Sequence, residues 1–201
     1  ENKVRRILLS TGIVSTFAGS GGTGWNGNGG ILATSSVVEG PTGVCGDSIG
    51  NVYVSEPAIR VVKKVVMGPQ NHIYAYAGDK DALAGTTGDG FAATGATLTQ
   101  PYYLAVDTTG ALYIADRLAH MVRKVSYSGA IISRYAGDGF ARTLDHGTAT
   151  FGSINEPTGL FMDTSGNLYI SEGFGSKIRK VNGATGALSS VAGTGTSGNN
   201  G

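Results

Sequence analysis

Pro157-Thr158-Gly159-Leu160-Phe161-Met162-Asp163-Thr164-Ser165-Gly166-Asn167-Leu168-Tyr169-Ile170-Ser171-Glu172 reads as two short strands joined by a tight turn. Asp163 stands three residues before Gly166, the spacing of a turn whose Asp side chain bonds its own backbone and whose Gly takes a positive φ. Leu168-Tyr169-Ile170 has the aromatic and branched residues that pleated strands favour. The stretch therefore predicts a β-hairpin. The same frame occurs twice upstream, over Pro41–Ser55 with Asp47 and Gly50, and over Pro101–Ala115 with Asp107 and Gly110.

Behind each hairpin comes a tetrad of two basic residues between two β-branched ones: Val62-Lys63-Lys64-Val65, Val122-Arg123-Lys124-Val125 and Ile178-Arg179-Lys180-Val181. A fourth copy, Val4-Arg5-Arg6-Ile7, has no hairpin ahead of it, and the four copies lie 58, 60 and 56 residues apart. Each is followed by a run ending in Ala-Gly, at Gly19, Gly78, Gly137 and Gly193. A repeat of this length with four strands, named A to D here, describes a β-propeller blade. Strand A covers 42–47, 102–107 and 158–163; strand B covers 51–55, 111–115 and 167–171; strand C is the tetrad. Strand D covers 13–18, 72–77, 131–136 and 188–192, with apolar residues on both faces, as expected of a sheet packed between two neighbours.

The expected fold is all-β, with about three and a half four-stranded antiparallel blades and no segment of helical period. One continuous repeat domain is expected. Residues 1–40 form a half-blade (strands C and D) with a Gly-rich connection, 41–100 and 101–156 form blades, and 157–201 form a blade and the start of the next connection. The half-blade lacks strands A and B, and a bare sheet edge invites pairing. The chain ends are therefore expected to be interfaces, and the start at Glu1 and the stop at Gly201 read as those of a processed product or a piece of something longer.

The order Pro-x-Gly, Asp-x-x-Gly-Asn-Leu-Tyr-Ile, Ile-Arg-Lys-Val and Val-Ala-Gly-Thr-Gly, followed by a Gly-rich loop, resembles the NHL-repeat family of β-propellers, in particular its secreted, Gly-rich variety. The copy from Pro157 to Gly195 carries the resemblance best, and Gly88-Asp89-Gly90-Phe91-Ala92 is similar to the family's connecting loop. The resemblance covers essentially the whole chain and implies a ring of about six blades. The B-to-C loops, 56–58, 116–120 and 172–175, depart from it by lacking the family's asparagines.

Composition narrows the function. Of 201 residues only 14% are charged and the net charge is +1, so no basic field points to nucleic acid and no acidic field to a cationic partner. With 34 glycines but 40% apolar residues, the chain has many turns yet is too apolar for a disordered polymer. The single cysteine, Cys45, forms no intrachain disulfide and reads as a small core residue. No run approaches the roughly 20 apolar residues of a membrane span.

An acid follows strand B in every full blade, as Glu56, Asp116 and Glu172, and a base stands seven residues later, as Lys63, Arg123 and Arg179. Recurrence in each unit points to a structural pair within the blade. A ring of these carboxylates at the axial mouth could instead hold a cation such as calcium; beyond that, no metal and no cofactor is expected. The tetrad bases are expected to lay their stems on the blade surface and send their charges to solvent. The Gly-rich loop 19–30 lacks the lysine and following helix that a phosphate cradle needs, and Trp25 within it reads as a plug or an exposed contact. His72, His120 and His146 show no ligand spacing.

No serine or cysteine occupies a nucleophile motif, so no enzyme is expected. Glu56, Asp116, Glu156, Glu172 and His120 could line a mouth of the kind that propeller lactonases and lyases use, which keeps an enzyme with a metal there as the alternative. The favoured expectation is a structural or interaction module of an extracellular surface or filament. It would self-associate or join further blades through its ends; with no Asn-x-Ser/Thr sequon N-glycosylation is not expected, while its many Ser and Thr could carry O-linked sugar. A cytoplasmic protein-binding scaffold is the second location.

Overall fold

In a computed structural model, which describes residues 1–27, 29–196 and 198, fifteen strands form four antiparallel sheets, and among the described residues there is no α-helix. β1 (Val4–Leu8) and β2 (Ile13–Ala18) make a two-stranded sheet. The second sheet runs in the order β3 (Gly29–Leu32), β7 (His72–Ala77), β6 (Val61–Val66), β5 (Val52–Glu56) and β4 (Val44–Gly46). The third holds β8 (Pro101–Val106), β9 (Leu112–Asp116), β10 (Met121–Val125) and β11 (Ile132–Ala136), and the fourth β12 (Pro157–Met162), β13 (Leu168–Glu172), β14 (Lys177–Val181) and β15 (Leu188–Ala192). The all-β fold of about three and a half blades read from the repeat is the observed one. The Asn28 and Gly201 positions of the connection and the chain end lie outside the described residues.

Each A–B turn is held by its Asp. Asp107 Oδ1 accepts from the amides of Thr109 (2.9 Å) and Ala111 (3.0 Å), its Oδ2 accepts from Tyr113 Oη (3.0 Å), and Gly110 takes φ +84°. Asp47 and Asp163 repeat this with the amides of Asn51 and Asn167, both at 2.8 Å, and Gly50 and Gly166 also have positive φ. Burial alone would raise the Asp107 carboxyl, but these hydrogen bonds outweigh it and hold it below the usual carboxylate range.

Apolar residues of neighbouring sheets share cores. Ala105, Tyr113 and Ala136 of the third sheet pack with Leu160, Ile170 and Val181 of the fourth, and Tyr53, Val62 and Ala77 of the second pack with Leu104, Ile114 and Ile132 of the third. Phe17 and Ala18 of β2 join Val54, Val65 and Ile73. Inner strands approach closely: a Cβ on Gly43 would lie 2.6 Å from the Tyr102 carbonyl oxygen, which accepts from the hydroxyls of Thr42 and Ser55, both at 2.8 Å.

The D-to-A connections are more ordered than loops. β3 pairs with the outer edge of β7, the Ala92–Ile131 bridge reaches β11, and the His146–Leu188 bridge reaches β15. β3 falls in the Gly-rich stretch read as a connection. It forms because β7 has unpaired backbone groups at its edge and because Gly29 lies against the Tyr74 ring, where a Cβ would come within 2.8 Å of Tyr74 Cδ1. Buried Ala33, Ala93 and Ala149 then accept from the amides of Gly19, Gly78 and Gly137 of the preceding sheet.

Asp107→Ala, which removes the acceptor of one A–B turn, is expected to lower the unfolding free energy by about 2 kcal/mol in urea titration; a change near zero would show that the turn is held by glycine geometry alone.

Candidate functional site

The end of each blade where B–C and D–A connections meet carries the candidate residues. Pro57–Ile59 and Arg117–Ala119 each form one turn of 3₁₀ helix, and the B–C connections end on Arg60, His120 and Ser176, at φ +58°, +54° and +48°. This left-handed residue turns the chain into strand C, and the glycine that follows strand D packs on it: a Cβ on Gly78 would lie 2.2 Å from the Arg60 carbonyl oxygen.

Strand C of each full blade aims its first base inward. Arg179 and Arg123 are 0% exposed and Lys63 2%. This corrects the expectation that the tetrad charges reach solvent, which holds for Arg5 and Arg6 of β1, both exposed, and only in part for Lys64, Lys124 and Lys180, which are half-buried. The side chains of a strand alternate between its faces, so successive bases of the tetrad meet different surroundings. Lys64, Lys124 and Lys180 lie over Tyr53, Tyr113 and Tyr169 of strand B, with Nζ 5.2, 5.1 and 5.7 Å from the ring centroids.

The inward base fastens the incoming connection. Arg179 Nη1 donates to the Ser153 carbonyl at 2.8 Å, and Nη2 to the Leu144 carbonyl at 2.9 Å and to Asp145 at 2.6 Å. Arg123 donates to the Thr97 carbonyl at 3.4 Å and to Asp89 at 2.6 Å, and Lys63 to the Val37 carbonyl at 2.6 Å. In all three the carbonyl lies 26 residues before the base, and in two an aspartate lies 34 before it. The second sheet has Gly29 at that offset, and Trp25 stacks on Lys63 with 4.5 Å from Nζ to the ring centroid. Trp25 is half-buried there, a plug over the ammonium.

The acids hold the same connections from the other side. Glu56 accepts from the Glu39 amide at 2.7 Å, and Asp116 from Thr99 at 3.0 Å and Gln100 at 2.6 Å. Two acids also meet the base seven residues on, with Glu172–Arg179 at 2.7 Å and Glu56–Lys63 at 3.0 Å, all fully or almost fully buried. The third does not: Arg123 turns to Asp89, and Asp116 is left with backbone donors. Burial pushes the Asp116 carboxyl up to about 6, and the amides of Gln100 and Thr99 and the Arg123 charge offset only part of that. Burial also pushes Glu56 and Glu172 upward against the pull of their cations. Gly175 covers Glu172 so closely that a Cβ would overlap Oε2.

The structure does not gather these groups into a cation site. Among the described residues no three His, Cys, Asp or Glu side chains are placed to hold a metal. Glu156 pairs with Arg117 at 2.6 Å, while its amide donates to His120 Nδ1 at 3.2 Å. His146 accepts from the Thr148 amide at 3.0 Å and His72 lies beside the Gln70 carbonyl. Burial pushes the Cys45 thiol up to about 12, which keeps it protonated. Asp145, and the role of Asp89 beyond its place in the Gly88–Ala92 loop, were missed by sequence reasoning; their shared offset of 34 residues from a tetrad base is the signal that could have found them.

No family model and no curated protein sequence matches the chain. Solved structures do. A protein of unknown function from Bacteroides thetaiotaomicron matches with a TM-score of 0.70 and 24% identity over 89% of this chain and 42% of its own. The fold is that of β-propeller blades. A chain of a nidogen/laminin complex matches with a TM-score of 0.61 and 13% identity over 96% of this chain and 59% of its own. A streptogramin B lyase matches with 0.56 and 16% over 94% and 47%. The chain thus spans between about two fifths and three fifths of the length of these propeller structures.

Two outcomes are expected. Arg179→Met, which leaves Glu172 buried without its cation, should cost about 3–5 kcal/mol in urea unfolding, and the double substitution with Glu172→Gln should recover part of it; equal losses in both would contradict the pairing. Asp116 binds its proton more tightly folded than unfolded, where its value is 3.8. Its contribution is therefore full below about pH 3.8 and lost as pH rises to about 6, a change of roughly 2–3 kcal/mol. Stability measured from pH 3.5 to 7 should show that fall in the wild type relative to Asp116→Asn, whereas parallel curves would contradict it.

Proposed function

We propose that the chain is a non-catalytic structural and interaction module built from NHL-type blades, working in an extracellular surface or filamentous assembly. The observation that carries this reading is the commitment of the mouth residues. Glu56, Asp116 and Glu172 are buried and bonded to backbone amides or to their own cations, and Glu156 and His120 bind each other's blade connections. A catalytic acid or base must reach a substrate proton, and groups that hold the fold have no such freedom.

The end sheets supply surface for association. Ile7 (59% exposed), Ile13 and Val14 in the first sheet and Phe161 (64%), Ile178 and Val191 in the last are apolar side chains of strands that interior sheets would cover. Low net charge imposes little repulsion between copies. Surface serines and threonines would be the acceptors of any O-linked sugar. The lyase among the fold neighbours keeps an enzyme of lactonase or lyase type as the competing reading.

Sedimentation and electron microscopy of the intact chain should show concentration-dependent, end-to-end association, and lactone substrates should not be turned over above the uncatalysed rate. A folded monomer that persists at every concentration, or measurable turnover, would overturn the reading.

A further inference from the structure

The second sheet departs from the other three at one corner. In those three the residue before the tetrad is long and lies along the glycine two places after the Ala-Gly: a Cβ on Gly21, Gly139 or Gly195 would come within 3.0, 3.5 or 3.1 Å of Cε of Lys3, Met121 or Lys177. The second sheet has the short Val61 there, and Lys80 in place of the glycine. Opposite the first base of the tetrad it has Ala75, where the other ladders have Thr16, Arg134 and Ser190. Trp25 stacks on that base, where Arg123 and Arg179 hold an aspartate. Residues that recur in every blade belong to the scaffold; these four do not recur.

Together the departures open a cavity of about 280 Å³, none of whose walls belongs to the first or the last sheet. Val61, Ala75 and the Trp25 ring line its apolar side, and Asp79, Lys80, Asp81 and Thr94 line the rest. Lys80 Nζ lies 5.7 Å from the indole centroid and pairs with Asp81. Asp79 Oδ1 accepts from the Asp81 amide at 2.9 Å. Among the described residues Asp79 Oδ2 has no hydrogen-bond partner, whereas Oδ2 of Asp138, its counterpart in the third sheet, accepts from Ser153 Oγ at 2.7 Å and from Arg142 at 2.8 Å. The loop that carries Lys80 and Asp81 is held in place, since Arg60 Nη2 donates to the Lys80 and Ala82 carbonyls at 3.3 and 3.0 Å.

We infer that this cavity binds one uncharged pyranose unit of a carbohydrate. Its size falls just under the roughly 300–1,000 Å³ of pockets for drug-sized ligands, which suits a single sugar ring. A pyranose has C–H groups on its faces, which rest on the electron-rich face of an indole, and hydroxyls around its rim. Asp79 Oδ2 accepts from one hydroxyl, the Lys80 ammonium donates to an oxygen beside it, and the Thr94 hydroxyl adds a third polar partner. Charge disfavours the other ligand classes. Two carboxylates against one ammonium repel an anion, and the ammoniums of Lys63 and Lys80 already take up the attraction of the indole ring that an incoming cation would need. The site uses none of the mouth acids and no surface of the end sheets, so it goes beyond the assembly reading and does not depend on it.

Trp25 is the single tryptophan of the chain, so its emission reports on the site directly. The test is titration of the intact chain with the methyl glycosides of glucose, galactose, mannose and N-acetylglucosamine, with glucuronate and glucosamine as charged controls. Binding is read by Trp25 emission and by saturation-transfer NMR. At least one neutral glycoside should bind saturably with a Kd on the order of 1 mM, as fits a few hydrogen bonds and one stacked ring, and the charged controls more weakly. Asp79→Asn should weaken binding roughly tenfold. The double substitution Val61→Met with Lys80→Gly, which installs the pair found in the third sheet, should abolish it in a chain whose circular dichroism is unchanged. No saturable binding of any neutral glycoside, tighter binding of a charged control, or binding that both variants leave intact would overturn the inference.

Discussion

A cation buried on the third strand of each full blade is the constraint on which the rest of this structure depends. Leaving Lys63, Arg123 or Arg179 dry and unpaired would cost several kcal/mol, so each must find acceptors, and each finds them on the connection that enters its blade. A flexible Gly-rich segment is thereby given a fixed path. It leaves one sheet at its outer strand, runs along the outer edge of the next, turns on a buried alanine and arrives at the inner strand already hydrogen-bonded. The acid at the end of strand B completes the clasp by accepting the last amides before that strand.

The same constraint accounts for the differences between blades. A guanidinium can serve two carbonyls and two carboxylates at once, as Arg179 does, whereas an ammonium has fewer directions to offer. Lys63 accordingly makes do with one carbonyl, one glutamate and the face of Trp25. Arg123 takes the connection's aspartate and leaves Asp116 to the backbone, which makes that carboxyl the one most exposed to the cost of burial.

Much of the fold was legible because hairpins announce themselves locally. Asp47, Asp107 and Asp163 with their glycines, and the Tyr-centred strands after them, placed the A and B strands, and the tetrads placed strand C. β3 was not legible: Gly-Gly-Ile-Leu has no strand pattern of its own and is ordered by an edge 40 to 45 residues away in the chain, through pairs such as Ile31–Ile73. The acid–base spacing of seven residues predicted two pairs that form, yet could not show that Arg123 prefers Asp89, because that choice depends on where a distant loop comes to rest. Nor could alternation alone say which tetrad base is buried, since both faces of these sheets are apolar.

The same economy ties Glu56, Asp116, Glu172, Glu156 and His120 into the blade connections. Amide hydrogen exchange of the folded chain, resolved residue by residue by NMR, tests the central claim most directly. If the connections are clasped as described, the amides of Glu39, Thr99 and Gln100 exchange as slowly as those of the central strands β5 and β9. Exchange as fast as that of exposed loop amides such as Gly147 would contradict it.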